Sequence, residues 1–164
     1  MKTIILVRHG QSETNVQKVF TGQLNAMLTP MGIEQAERMA RYVAQYPVEK
    51  VYASSLQRAV DTAASICRLL NCPIETTADF WEIDAGAWQG LSFEEVADRY
   101  PDSYALWRQD FGNAHPDGGE SCKQVYDRVV KAFCHIVENT PENVICIVSH
   151  AIPIRMIESY IGYG

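Results

Sequence analysis

No stretch of this chain stays apolar for long. The longest early run, Ile4-Ile5-Leu6-Val7, is broken at once by Arg8 and His9. That is far short of the ~20 residues of a membrane-spanning helix and too short for the core of a secretory signal. Positive charge is scarce as well. Fourteen Lys and Arg stand against 20 Asp and Glu, a net charge of −6, so the cationic surface that grips a nucleic-acid backbone is missing. The five cysteines, Cys67, Cys72, Cys122, Cys134 and Cys146, include no Cys-x-x-Cys pair. No histidines flank them at zinc-ligand spacing, and they read as free thiols among apolar neighbours. Cys122 and Arg128 do have the spacing of a cysteine-phosphatase loop, but Lys123-Gln124-Val125-Tyr126-Asp127 between them contains no glycine. Without glycines the backbone N–H groups cannot curl around a phosphate, and the segment reads as helix. These absences leave a soluble, cytoplasmic enzyme or binding domain, with neither membrane nor nucleic acid as a partner and no metal or cofactor site.

What is present is an ordinary core. Hydrophobic residues make up 47% of the 164 positions and charged ones 21%, which suits one globular domain over 1–164 rather than two, a coiled coil or a disordered tail. Thr3–Val7, Lys50–Ala53, Pro73–Thr77 and Val144–Val148 read as strands. Between them, helices are expected from Pro30 to about Ala44, with Thr29 as cap, and after Ser54 or Ser55 as cap. The inward stripes are Ile33, Ala36, Ala40 and Val43 in the first, and Ala59, Thr62, Ala63, Ile66, Leu69 and Leu70 in the second. Further helices follow Ser92, Pro101 and Ser121, and a last one begins near Ile152. Strands hydrophobic on both faces and alternating with helices predict a three-layer α/β sandwich, a mainly parallel sheet with helices on both faces.

In such sheets ligands bind beyond the carboxyl ends of the strands. The first strand runs into Arg8-His9-Gly10, the second into Ser54-Ser55 with Arg58 one turn on, and the last into Ser149-His150. Arg58 looks misplaced, because a cation in the first helical turn opposes the helix dipole at ~0.3–1 kcal/mol. An anion would reverse that sign. Arg8, Arg58 and Gly10, whose lack of a side chain lets N–H groups approach, make a phosphate cradle in which two guanidiniums match phosphoryl oxygens. The plainer alternatives are strand-end histidines that are simply satisfied core side chains, and an Arg58 paired with Asp61 or Glu82.

Arg8-His9-Gly10-Gln11-Ser12-Glu13-Thr14-Asn15 resembles the signature of the histidine phosphatase superfamily, to which phosphoglycerate mutases belong. The likeness continues through Leu28-Thr29, Ala53-Ser54-Ser55-Leu56-Gln57-Arg58-Ala59, Glu82-Ile83-Asp84-Ala85-Gly86-Ala87-Trp88-Gln89-Gly90, Gly118-Gly119-Glu120-Ser121 and Val148-Ser149-His150. The resemblance implies a phosphoglycerate mutase-like fold and these roles. His9 is the nucleophile that becomes phosphohistidine. Arg8, Arg58 and His150 hold the phosphoryl group, His150 adding its charge if protonated, and Glu82 gives a proton to the leaving alcohol. Gly10, Asn15, Thr21, Gly22, Glu120 and Ala151 surround the substrate, with Glu120 an alternative acid or a cap of the long helix. Phe80, Trp81 and Trp88 are candidates for an apolar wall that raises the Glu82 pKa, with plain core packing as the alternative. His115, before Gly118, is a candidate substrate contact; His135 belongs on a helix surface.

The chain departs from the pattern at Ala151, where glycine is usual, and at Asn25, where aspartate is common. Relatives also commonly run on past the equivalent of Gly164, which makes an edge element or part of the substrate wall a candidate omission. Only Leu91–Asp117 separates the Glu82 and Glu120 motifs, a shorter cover than mutases carry, and a wetter phosphohistidine favours hydrolysis. The details around Trp81–Gly90 and Ser92–Val96 look most like the α-ribazole and broad-specificity phosphatase branch. The expected activity is therefore metal-independent hydrolysis of a small phosphorylated metabolite. A mutase-type isomerase and a weakly catalytic phospholigand- or protein-binding module are the alternatives. Oligomeric state is left open, a homodimer included.

Overall fold

The computed structural model describes residues 2–163. Its centre is a four-stranded, wholly parallel sheet of β1 (Thr3–Arg8), β2 (Lys50–Ser54), β3 (Ile74–Thr77) and β4 (Val144–Ser149), in the order β1-β4-β2-β3. Strand β4, Val-Ile-Cys-Ile-Val-Ser, is central and almost wholly buried, whereas β3 at one edge is mostly exposed. Side chains alternate across the sheet. Val7, Val51, Ala53, Cys146 and Val148 face one helical layer, while Tyr52, Ile145 and Ile147 face the other. The first layer is α2 (Pro30–Val43) and α3 (Gln57–Leu70); the second is α6 (Cys122–Asn139) and α7 (Ala151–Tyr163). Helix α1 (Glu13–Gln17) follows β1, and α4 (Phe93–Arg99) and α5 (Pro101–Gln109) precede α6. A third, aromatic cluster around Trp88 and Val96 packs α4 and α5 together with Phe20. The α/β sandwich read from the sequence is the fold observed.

Register decides where the site lies. Arg8 pairs with Ser149 and Ala53 with Val148, so β1, β4 and β2 end level. Outgoing connections from β1 and β2 cover one face and that from β4 covers the other, which opens a crevice at this end.

Helix starts follow the local capping chemistry. The Thr29 hydroxyl accepts from Gly32 N–H, and Ser92 with Glu95 and Ser121 with Gln124 form capping boxes. Helix α3 departs from expectation. Its N-cap is Leu56 with no side-chain bond. Ser54 Oγ accepts from Leu56 N–H at 3.3 Å, ahead of the helix, and lies 2.7 Å from His150 Nε2. Two apolar positions also turn outward, Ile33 at 50% and Leu69 at 53% exposure. In α2 the inward position belongs to Gly32 instead, because the loop after β1 lies directly on it. A Cβ on Gly32 would collide with the Gln11 carbonyl, and one on Gly10 with the Gly32 carbonyl. Gly10 therefore serves this backbone contact, and its own N–H donates to Thr62 Oγ1 at 3.1 Å.

The close approach predicts that Gly32→Ala, overpacked against backbone, costs about 1–3 kcal/mol. Its neighbour Ile33→Ala, on the exposed side, costs under about 1 kcal/mol. Urea denaturation of both variants checks the ordering.

Candidate active site

His9 is the first residue beyond β1, and its N–H extends the ladder to Ser149 O at 3.1 Å. His150 is the first beyond β4, and the two rings stand 5.0 Å apart. The hydrogen bonds of His9 define its tautomer. Arg58 Nε, which can only donate, points at His9 Nε2 at 3.3 Å, so Nε2 carries a lone pair and the proton sits on Nδ1. Nδ1–H then donates to Gly10 O at 2.6 Å. Burial is the main force that lowers the His9 pKa from 6.5 to about 4; the Gly10 bond opposes it, and Arg58 and Arg8 reinforce it. The ring is neutral at pH 7.

Arg58, in the first turn of α3, is almost wholly buried. Its guanidinium donates to Leu24 O at 2.6 Å and Gly22 O at 2.9 Å. Burial above all lowers its pKa to about 10, with Glu82 opposing, so it stays charged. It makes no ion pair, since Asp61 accepts from Gln57 Nε2 instead. Gly22, at φ +49°, shapes the turn that aims its carbonyl at this charge. Arg8, at the end of β1, is exposed and its side chain has no hydrogen bond among the described residues.

His150 is buried, and burial followed by the charge of Arg58 holds its pKa well below 6.5. The ring is neutral, not an imidazolium. Its Nδ1 is buried with no partner among the described residues, and the ring is not among the side chains that line the cavity beside His9. Glu82 lies in the loop after β3. Burial raises its carboxyl above the usual range against the pull of the Ile83 N–H and Arg58. That loop is pinned by Arg128, whose guanidinium donates to the carbonyls of Asp79 (2.8 Å), Trp81 (2.9 Å) and Glu82 (3.1 Å).

Arg128 also grips both Glu120 oxygens, at 2.8 and 2.9 Å, and Asp84 N–H donates to Glu120 as well. Burial pushes the Glu120 carboxyl up, but these bonds outweigh it and leave its pKa below the ordinary value. Glu120 is therefore a structural anion rather than the alternative acid, and the helix cap is Ser121. The Cys122–Arg128 spacing is likewise no phosphate loop. Cys122 opens α6, burial pushes its thiol up to about 11, and its arginine is fully engaged.

A cavity of about 250 Å³ is lined by Arg8, His9, Asn15, Thr21, Gly22, Arg58 and Glu82. The side chains of Asn15 and Thr21 are fixed, Asn15 Oδ1 by Ser12 N–H at 3.0 Å and Thr21 by Thr14 Oγ1 at 2.8 Å. Of the remaining candidates, Gly10 and Ala151 stand behind the wall and Ile152 reaches it. His115 is exposed and bonds Pro116 O, so only Pro116 faces the cavity. His135 lies exposed on α6. The expected tryptophan wall is elsewhere. The Trp81 indole donates to Ser55 Oγ at 2.7 Å, and Trp88 is fully buried in the aromatic cluster. The apolar wall comes instead from Phe20, Ile83, Phe93, Trp107, Phe111 and Ile152. The spacing Tyr104, Trp107, Phe111 was the available signal for the α5 part of it.

Among the described residues, no group of three or more His, Cys, Asp or Glu side chains is placed to hold a metal ion. None of the described helices is long and apolar enough to cross a membrane.

Three comparisons bear on this constellation. A bifunctional protein of Mycobacterium tuberculosis is 37% identical over 155 residues, which cover 94% of this chain and 42% of that protein. The chain thus spans less than half the length of that relative. Phosphoserine phosphatase 1 of Hydrogenobacter thermophilus is 34% identical over 156 residues, 94% of this chain and 74% of that one. The crystal structure of the α-ribazole phosphatase from Shigella flexneri superposes with a TM-score of 0.90 at 25% identity, over 96% of this chain and 78% of that one. A sequence model of the Histidine phosphatase superfamily (branch 1) matches residues 4–162. With nearly the whole length so matched, the chain belongs to the histidine phosphatase superfamily.

Proposed function

We propose that the chain, as a single domain, hydrolyses small phosphomonoesters through a phosphohistidine on His9. The observation that carries this reading is the neutral His9 ring, its proton on Nδ1 and its Nε2 accepting from Arg58 Nε–H, at the edge of a cavity that Arg8 and Arg58 also line. The Arg58 N–H must turn to the phosphoryl oxygens to free that lone pair for attack. In the first step Nε2 attacks phosphorus and the bond to the alcohol oxygen breaks. The Glu82 proton passes to that oxygen, since an alkoxide leaves poorly. Arg8 and Arg58 hold the equatorial oxygens as charge moves onto them. His150, buried 5.0 Å from the His9 ring, joins them through Nδ1–H only if the cavity floor shifts to expose it. For His150 this requires Ser54 Oγ–H to donate to Nε2, a role the 2.7 Å contact supports. In the second step water attacks the phosphorus, the P–N bond breaks, and Glu82 carboxylate takes the water proton, releasing inorganic phosphate.

The relative named for phosphoserine supports a phosphatase over an isomerase. The direct test is phosphate release in the presence of a metal chelator, measured beside 2- and 3-phosphoglycerate interconversion. Interconversion without net phosphate release would contradict hydrolysis. His9→Ala should fall to background. Arg58→Ala should lose roughly 10²–10³ in kcat, as when one transition-state donor is removed. Glu82→Gln should lose roughly 10²–10⁴ in kcat/KM on alkyl phosphates but under about tenfold in kcat/KM on p-nitrophenyl phosphate, whose leaving group needs no proton. Its kcat falls on both, because Glu82 is also the base for the attacking water.

The neutral His9 ring also makes stability pH-dependent. Its pKa is about 4 when folded against 6.5, so the unfolded chain takes up the proton first. The stabilisation is intact above 6.5 and lost as pH falls towards 4. Between pH 7.5 and 5 the loss is about 2 kcal/mol. His150 acts in the same direction. Glu82 acts in the opposite one, because its raised pKa makes the folded state the better proton acceptor. Urea melts of wild type and His9→Gln at both pH values isolate the His9 part, which should be missing from the variant.

A further inference from the structure

Three spaces border His9; one, about 350 Å³, runs over Gly10 towards Met39 and Tyr42 and lacks Glu82, which leaves two to weigh. One is the 250 Å³ cavity with Glu82 in its lining. The other, about 560 Å³, is polar, reached past Arg8 and bordered by Gln11, Thr14, Lys18 and Gln35, and Glu82 is not among its lining residues. In-line displacement places the leaving oxygen opposite the attacking nitrogen, and that oxygen must meet its proton donor. Of these spaces Glu82 lines the first alone, so the alcohol half of the substrate goes there.

The walls of that space are hydrocarbon. Phe20 lies 4.6 Å from Phe93 and 5.9 Å from Trp107, and Trp107 lies 4.9 Å from Phe111, centroid to centroid. Buried Trp88 backs Trp107 at 5.7 Å, which fixes its position. Phe93 is 51% exposed and Phe111 39%, so aromatic surface is left open at the mouth where a ligand would cover it. The charged residues of this lining are Arg8, Arg58 and Glu82. The phosphoryl group claims both arginines, and Glu82 must arrive neutral. A carboxylate or ammonium on the alcohol would therefore be desolvated without a counter-charge. Volume sets the size: a cavity of roughly 150 Å³ holds benzene, so 250 Å³ admits a phosphoryl group and one ring.

We infer that the preferred substrates are phosphomonoesters of apolar, ring-bearing alcohols, held by Phe20, Trp107 and Phe111, rather than phosphorylated amino or sugar acids. This rests on the phosphatase reading above. The test compares kcat/KM for 2-phenylethyl phosphate, glycerol phosphate and O-phosphoserine, all alkyl leaving groups that need the same proton. The phenylethyl ester should lead each of the others at least tenfold. Phe111→Ser, at the rim, and Trp107→Ser should each shrink that lead at least threefold, chiefly through a higher KM for the phenylethyl ester. Phosphoserine or glycerol phosphate equal to or better than the phenylethyl ester overturns the inference while leaving phosphatase activity standing. So does a lead that is unchanged in a folded Phe111→Ser protein. Hydrolysis of none of the three, with no phosphohistidine trapped on His9, overturns the phosphatase reading itself.

Discussion

An arginine that donates to an imidazole, rather than to a carboxylate, governs this site. Had Arg58 paired with Asp61 or Glu82, its charge would be cancelled and an incoming phosphate would have to compete for it. Main-chain carbonyls of residues 22 and 24 hold it instead. Such charged hydrogen bonds are worth about 1.5–3 kcal/mol each, which outweighs the ~0.3–1 kcal/mol of dipole opposition at a helix start. The guanidinium is therefore rigid yet not neutralised. The same charge helps to keep His9 unprotonated, and the direction of the contact assigns the lone pair to Nε2. Charge, tautomer and aim follow from one geometry, set before any ligand arrives.

Glu82 is anchored as firmly as His9, by a different route. Ser149, paired with Arg8 in the sheet, donates from its hydroxyl to Phe80 O at 2.8 Å. That contact fastens the start of the Glu82 loop to the strand that carries His150. Arg128 fastens the rest through three carbonyls, and Glu120 orients Arg128. The carboxylate that resembled a second acid thus keeps the first acid's loop in place. Its charge is spent on Arg128, so Glu82 alone remains uncommitted enough to hold a proton near the cavity.

What was legible in the sequence was whatever depends on near neighbours. Strand periodicity, the Thr29, Ser92 and Ser121 caps, and the odd position of Arg58 are all local patterns. Residues that act across the fold were not legible. Ser54 reads as a helix cap until the strand order brings His150, 96 positions away, against it. Gly10 reads as room for a phosphate until Gly32 is seen to occupy that room. Ile33 fits the apolar period of α2, yet the crowded position at that turn admits no side chain, so the isoleucine turns outward. Arg128 has main-chain carbonyls as partners, and these leave no mark in residue types.

The floor of the cavity and its wall have different physical origins. The floor hangs on the level ends of β1, β4 and β2, and its side chains other than exposed Arg8 are tied into hydrogen bonds, so altering one disturbs several. The wall is largely aromatic, Phe93 on α4, Trp107 on α5, and Phe20 and Phe111 beside them, packed by contact area and ring geometry rather than by directed bonds. Hydrophobic packing tolerates exchange of side chains of similar volume far better than a polar network tolerates loss of a member. On the proposed reading, phosphorus chemistry falls to the rigid part of this molecule, and the choice of alcohol to the part that can be rebuilt without touching His9.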